Sequence, residues 1–312
     1  MRRCLPWADA PSAAMAAVFA AEAARWRDRL AWDTAPLWPV LEHARMTGAL
    51  PGFVLRDAGG AITGWTYAAV RDGELLCGAL SAPDSAGTAQ LLDSVLALPE
   101  AATATRLVCF AFTEAPDLAA TLAVRGFLLD PHEYLTRPLA GAPAARRPGR
   151  AWDVRDLDAT ADLFRASYPA SDPGRPFAPH SRPAEWQRYV ADLVLGQGCG
   201  RFRPSLSIAV PGTGGTLDAA AIVTDLGAGT AHLAQLAVRP GLRGAGLGAA
   251  MLASLSASCL GAGFTRLSLL VGASNTTARR LYARAGFTPC AWFVSATRAG
   301  RAGETRRTST AA

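Results

Sequence analysis

The chain has 312 residues, half of them apolar and 18% charged, which is material for two packed cores and excludes wholesale disorder. No apolar run approaches the roughly 18 residues that a bilayer-spanning helix needs. All 31 basic residues are arginine, which excludes lysine Schiff-base and P-loop chemistry, and the net charge of +6 sits in residues 140–150 and the C-terminal tail, so it reads as solvated connectors rather than a nucleic-acid surface.

In chain order, Pro6, Asp9 and Pro11 interrupt the apolar stretch a secretory leader would need, and residues 12–30 predict an alanine-rich helix. Residues 52–67 predict two strands around a turn at 57–60. Cys109 lies in the apolar run 107–110 and reads as a small core residue. No two of the six cysteines form a C-x-x-C pair and the four histidines do not cluster, so no metal is expected and a cytoplasmic setting fits. Residues 140–150, rich in Ala, Pro, Gly and Arg, read as a linker. Beyond it, 156–168 and 184–195 predict helices separated by a proline-rich loop carrying Pro169, Pro173, Pro176, Pro179 and Pro183. Strands follow at 206–210, 217–225 and 231–238; then a helix at 247–260, a strand at 267–271, a helix at 275–285 and a last strand at 291–297.

The two sides of the linker resemble each other. At an offset of 160, Thr105-Arg106-Leu107 matches Thr265-Arg266-Leu267, Ala123 matches Ala283, and Gly126-Phe127 matches Gly286-Phe287. The expectation is a duplicated α/β chain: one domain at 1–139, a linker at 140–150, a second domain at 151–297 and a basic, disordered tail at 298–312.

Between the strand at 231–238 and the helix from Leu247 runs Arg243-Gly244-Ala245-Gly246-Leu247-Gly248. A glycine-rich turn from strand into helix presents backbone N–H groups at the positive end of the helix, which suits a phosphate or pyrophosphate, and Arg243 offers a further cationic contact. The bland alternative is a tight turn that packs helix on sheet. A dinucleotide fold needs another glycine spacing and an acid about twenty residues on, and 263–270 contain no acid.

This segment resembles the acyl-CoA-binding signature of the GNAT superfamily of N-acyltransferases, Gln/Arg-x-x-Gly-x-Gly/Ala. A second GNAT-like signature follows: Asn275, then Leu281-Tyr282 and Gly286-Phe287. The resemblance covers 151–297, and the first half only through its likeness to the second. It implies two tandem GNAT-like domains, each a mixed, mostly antiparallel sheet flanked by helices. It also implies acetyl-CoA as acyl donor without a metal, the pyrophosphate on Arg243–Gly248, and the pantetheine along Leu236, Ala237 and Val238. Asn275 and Tyr282 would flank the thioester. Asn275, Arg279 and Tyr282, at i, i+4 and i+7, are expected to share one helix face. A tyrosine hydroxyl stays protonated near neutrality and can protonate a departing thiolate, which makes Tyr282 the candidate general acid; its alternative is a core aromatic, and that of Asn275 a helix N-cap.

Asp225, His232, Gln235 or a water remain open as the route for the amine proton, and Glu185, Trp186 and Tyr189 as acceptor-pocket residues. In the first half Leu122 stands where Tyr282 does, Ala115 where Asn275 does, and Asp84 lies in a loop without paired glycines. That copy is expected to be structural. The activity implied is transfer of an acetyl group to a primary amine of a small molecule or peptide, with neither membrane nor nucleic acid as partner; the alternative is a non-catalytic acyl-CoA sensor.

Overall fold

The computed structural model describes residues 2–112, 117–170, 172, 174–196 and 199–300. Its strands are β1 (Arg3–Pro6), β2 (Gly52–Arg56), β3 (Ile62–Arg71), β4 (Glu74–Ser81), β5 (Arg106–Phe112), β6 (Leu128–Pro138), β7 (Arg150–Ala151), β8 (Arg201–Phe202), β9 (Ile208–Pro211), β10 (Leu217–Asp225), β11 (Thr230–Val238), β12 (Arg266–Gly272) and β13 (Thr288–Ala299). The helices are α1 (Ser12–Leu30), α2 (Trp38–Met46), α3 (Ser85–Leu96), α4 (Pro99–Thr103), α5 (Leu118–Ala123), α6 (Leu157–Ser167), α7 (Pro183–Leu195), α8 (Leu247–Gly261) and α9 (Thr276–Arg284).

The chain divides into two compact units, and each is a mixed, mostly antiparallel sheet flanked by helices. They do not follow the linear halves. The first takes residues 1–26, 34–131 and 292–312; the second takes 27–33 and 132–291. The last strand of each half is therefore traded: Phe293–Ala299 of β13 pair with β5 in the first unit, and His132–Pro138 of β6 pair with β12 in the second. Of the tail expected from residue 298, Arg298 and Ala299 belong to β13, and residues 301–312 lie outside the described residues.

The two units repeat one plan. In the first, neighbouring strands run antiparallel except β4 and β5, which pair in parallel from Glu74–Arg106 to Cys77–Cys109 and are joined through α3. In the second the parallel pair is β11 and β12, from Thr230–Arg266 to Leu233–Leu269, joined through α8. A parallel pair needs such a crossover, and a helix long enough to return along the sheet supplies it.

The second unit is covered on both faces. Along β10, Ala219, Ala221 and Val223 pack with Met251, Leu252 and Leu255 of α8, while Ala220 and Ile222 pack with Phe164 of α6 and Trp186 and Val190 of α7. That period-two alternation between two cores explains why β10 reads as an almost unbroken apolar run.

Candidate active site

The parallel ladder of β11 and β12 ends at Leu233–Leu269. Past it, β12 continues on β6 and β11 on β10, so the edge of β11 over Leu236, Ala237 and Val238 faces an opening between two diverging strands. A β-bulge at Ala234 accompanies the divergence: Val223 pairs with Leu233, and the next pair is Ile222–Gln235. The extra residue shifts the strand's alternation by one. Ala231 and Leu233 face α8, and without the bulge Gln235 would too; instead it reaches Tyr168 and Tyr189 on the α6–α7 side.

At the end of β11 the chain makes a short 3-10 turn, Pro240–Leu242, and enters α8 through Gly244 (φ +84°), Ala245 and Gly246 (φ +83°). Those two glycines are required by conformation, since a side chain strains a left-handed backbone. A Cβ on either would meet nothing within 4 Å, so the surface they border is open. Gly248 differs: a Cβ there would come within 3.3 Å of Leu281, so its glycine permits close packing of α8 on α9. Among the described residues the N–H groups of residues 244 to 249 have no acceptor, and no side chain caps α8. Alternating turn conformations and the positive helix end together suit an anion.

The first unit shows the same place closed. The Asp84 carboxylate caps α3, accepting from the Gly87 N–H at 2.8 Å, and pairs with Arg2 at 2.6 Å. The Arg2 guanidinium, then the Gly87 amide, hold that carboxyl below its usual range. An internal anion thus sits where α8 leaves room for an external one. Asp84→Asn is expected to leave acetyl-CoA affinity of the full chain within about twofold, as read by calorimetric titration. Leu122, in the place of Tyr282, is fully buried, and Ala115 lies outside the described residues.

The expected cofactor residues are not all free for a ligand. Arg243 donates to the carbonyls of Val238 (3.1 Å) and Ser167 (2.9 Å), strapping the loop to β11 and to the end of α6. Arg279 makes a bidentate pair with the buried carboxylate of Glu133, at 2.6 and 2.9 Å. Asn275 caps α9 through its Oδ1 and the Ala278 N–H at 3.1 Å. The expected shared face of Asn275, Arg279 and Tyr282 therefore divides its work: cap, ion pair and inward-facing phenol.

Tyr282 is 8% exposed and packs edge-on against Phe287, with ring centroids 5.8 Å apart. Burial, and next the proximity of Tyr168, push its phenol far above the ordinary range, so the hydroxyl keeps its proton at every working pH.

Of the groups considered for the amine proton, Asp225 is held by Arg201 and Arg203, each at 3.3 Å, and accepts from the Gly227 N–H. His232 is fully buried, ring-stacked with Trp32 and Tyr134, with Nδ1 2.9 Å from the Ser268 hydroxyl. Burial lowers its pKa to about 4. A neutral core imidazole of this kind gives stability where the unfolded chain is also neutral, above about pH 6.5, and loses it as pH falls towards 4. Unfolding free energy should therefore drop by on the order of 3 kcal/mol across that interval. Denaturant titrations should show the drop in the parent chain and a flatter profile for His232→Asn.

Gln235 is placed differently. Its Oε1 accepts from the Tyr168 hydroxyl at 3.0 Å and its Nε2 donates to the Tyr189 hydroxyl at 2.7 Å. Burial raises both phenols. Tyr168 ends α6 in extended conformation, as the following Pro169 demands, and was not singled out in the sequence. Trp186 is a core residue, and Glu185 accepts from the His180 and Arg182 N–H groups at the start of α7.

A sheet that parts beside an uncapped glycine turn defines the class: an α/β fold with an uncapped helix start at a strand opening. The acetyltransferase (GNAT) family profile matches residues 157–287 of this chain. No curated protein matches the chain by sequence. Solved structures share the fold over 80% to 96% of its length. A GCN5-related N-acetyltransferase from Sphaerobacter thermophilus is 18% identical with a TM-score of 0.60, covering 96% of this chain and 95% of that one. A GNAT-family acetyltransferase from Colwellia psychrerythraea is 15% identical with a TM-score of 0.54, covering 95% and 99%. A tandem GNAT protein from the clavulanic acid biosynthesis pathway is 18% identical with a TM-score of 0.51, covering 80% and 82%. Among the described residues no cluster could hold a metal ion, and no helix is long and apolar enough to cross a membrane.

Proposed function

We propose that the chain transfers an acetyl group from acetyl-CoA to a primary amine of a small molecule or peptide, using the second unit. The observation that carries this reading is the open row of N–H groups at residues 244–249 beside the unpaired edge of β11. The pyrophosphate fits the cradle formed by Gly244, Ala245, Gly246, Leu247 and Gly248, and the amides of the pantetheine extend the edge at Leu236, Ala237 and Val238 as an added strand. Arg243 shapes this cradle through Val238 and Ser167, and Asn275 and Arg279 fix α9 so that Tyr282 borders the thioester.

The amine nitrogen attacks the thioester carbonyl carbon, the C–N bond forms and the C–S bond breaks. Tyr282 gives its proton to the departing sulfur and regains one, through water, from the nitrogen that must lose it. The products are the N-acetyl amine and CoA thiol. Incubation with acetyl-CoA and a panel of amines, read as free thiol, tests this. Release of thiol that depends on one class of amine is expected. Tight acetyl-CoA binding with no release for any amine would mark an acyl-CoA sensor instead.

A further inference from the structure

Within that reading, on which this inference rests, the amine still has to be oriented towards the thioester, and nothing above does so. Three polar side chains on the α6–α7 side of the opening are joined in one chain: Tyr168 O–H to Gln235 Oε1, and Gln235 Nε2–H to Tyr189. All three are partly exposed, whereas the neighbouring Trp186 and Phe164 are fully buried. The chain therefore lies at the margin of that core and not within it. Gln235 faces this side only because of the bulge at Ala234, and bulges re-aim side chains next to sites. Tyr168 lies within electrostatic reach of Tyr282 and of Arg243, on the residue after the Ser167 carbonyl that Arg243 holds.

The direction of these bonds has a consequence. With its proton committed to Gln235, the Tyr168 oxygen has only lone pairs left to offer a ligand. We propose that this oxygen accepts an N–H of the acceptor amine and that Gln235 is the positioning residue that fixes its polarity. Tyr189 completes the device by accepting from the amide nitrogen in this arrangement, at 2.7 Å. A lone pair ready to take an N–H, with the phenol proton turned away, orients the nitrogen's own lone pair towards the thioester. The chain moves no proton; it favours an acceptor that has a hydrogen to donate over a tertiary amine.

Hydroxylamine is a suitable probe, since it is small, uncharged near pH 7.5, and gives acetohydroxamate and CoA thiol with acetyl-CoA. With the uncatalysed rate subtracted, Tyr168→Phe and Gln235→Leu are each expected to raise KM for hydroxylamine about tenfold over the parent protein, with acetyl-CoA affinity unchanged. In the double variant the two effects should not add, because Gln235 acts through Tyr168. Tyr189→Phe should shift KM in the same direction by less. Loss of thermal stability without a KM shift, or additive effects in the double variant, would show a structural role and overturn the proposal. If the parent protein transfers acetyl to hydroxylamine and Gln235→Leu does so equally well, this inference alone fails. No transfer by the folded parent protein with any amine would remove the acyl-transfer reading and this inference with it.

Discussion

Replacing Tyr282 with phenylalanine is expected to slow acetyl transfer by about 10²–10⁴-fold, the span of general acid–base assistance. The substitution keeps the ring, its edge-on contact with Phe287 and its place among Met251, Leu255 and Phe287 in the core, and deletes one oxygen. Stability and acetyl-CoA affinity should therefore hold. The hydroxyl is a donor at every working pH because burial keeps it protonated, so the loss should be equal at pH 6 and pH 9. A single-turnover measurement of the transfer step is the suitable readout, since slow product release can mask a chemical defect in kcat. An unchanged transfer rate in folded Tyr282→Phe would leave Tyr282 as a wall of the channel.

Valine in place of Gly246 should abolish the stabilisation that acetyl-CoA confers. Ligand at a hundredfold excess over Kd, binding only the folded state, adds about 2.7 kcal/mol. Residue 246 holds φ at +83° and a Cβ there projects into the open space before the N–H cradle, where a phosphate would sit. The backbone strain itself should cost the free protein about 1–2 kcal/mol. Gly263, just beyond the other end of α8, separates the two effects: its φ is +87° and a Cβ there also meets nothing within 4 Å. Gly263→Val should lose comparable stability and keep the whole ligand shift in a thermal melt. Equal ligand shifts in both variants would place the cofactor elsewhere.

These expectations rest on features that differ in how far the sequence shows them. The elements of the second unit were legible because period and punctuation agree: α8 carries Met251, Leu255 and Cys259 at four-residue spacing, and α9 ends before Gly286 at φ +83°. The glycines of the cradle were legible too, because a left-handed turn leaves few other residues possible. The exchange of β6 and β13 was not, since strand partnership depends on which edge a strand reaches, and the apolar pattern of residues 132–138 fits either sheet. Nor was the bulge at Ala234, which no glycine marks and which alone decides that Gln235 meets Tyr168 and Tyr189. The engagement of Arg243 and Arg279 was hidden for a related reason: an arginine beside a motif looks available until its acceptors, a carbonyl pair and the carboxylate of Glu133, are brought to it by folding.

Asp84 gave the most direct reading of difference between the units. From sequence it argued against a phosphate by its charge; in the structure it takes the Gly87 N–H at the start of α3 for itself. The two units share one plan of sheet and crossover helix, while one helix start is sealed by its own carboxylate and the other has no side-chain cap.

Calorimetric titration of the full chain with acetyl-CoA tests that asymmetry most directly. The account predicts one molecule bound per chain, with binding lost in Gly246→Val and kept in Asp84→Asn; two molecules per chain, or one that survives Gly246→Val, would contradict it.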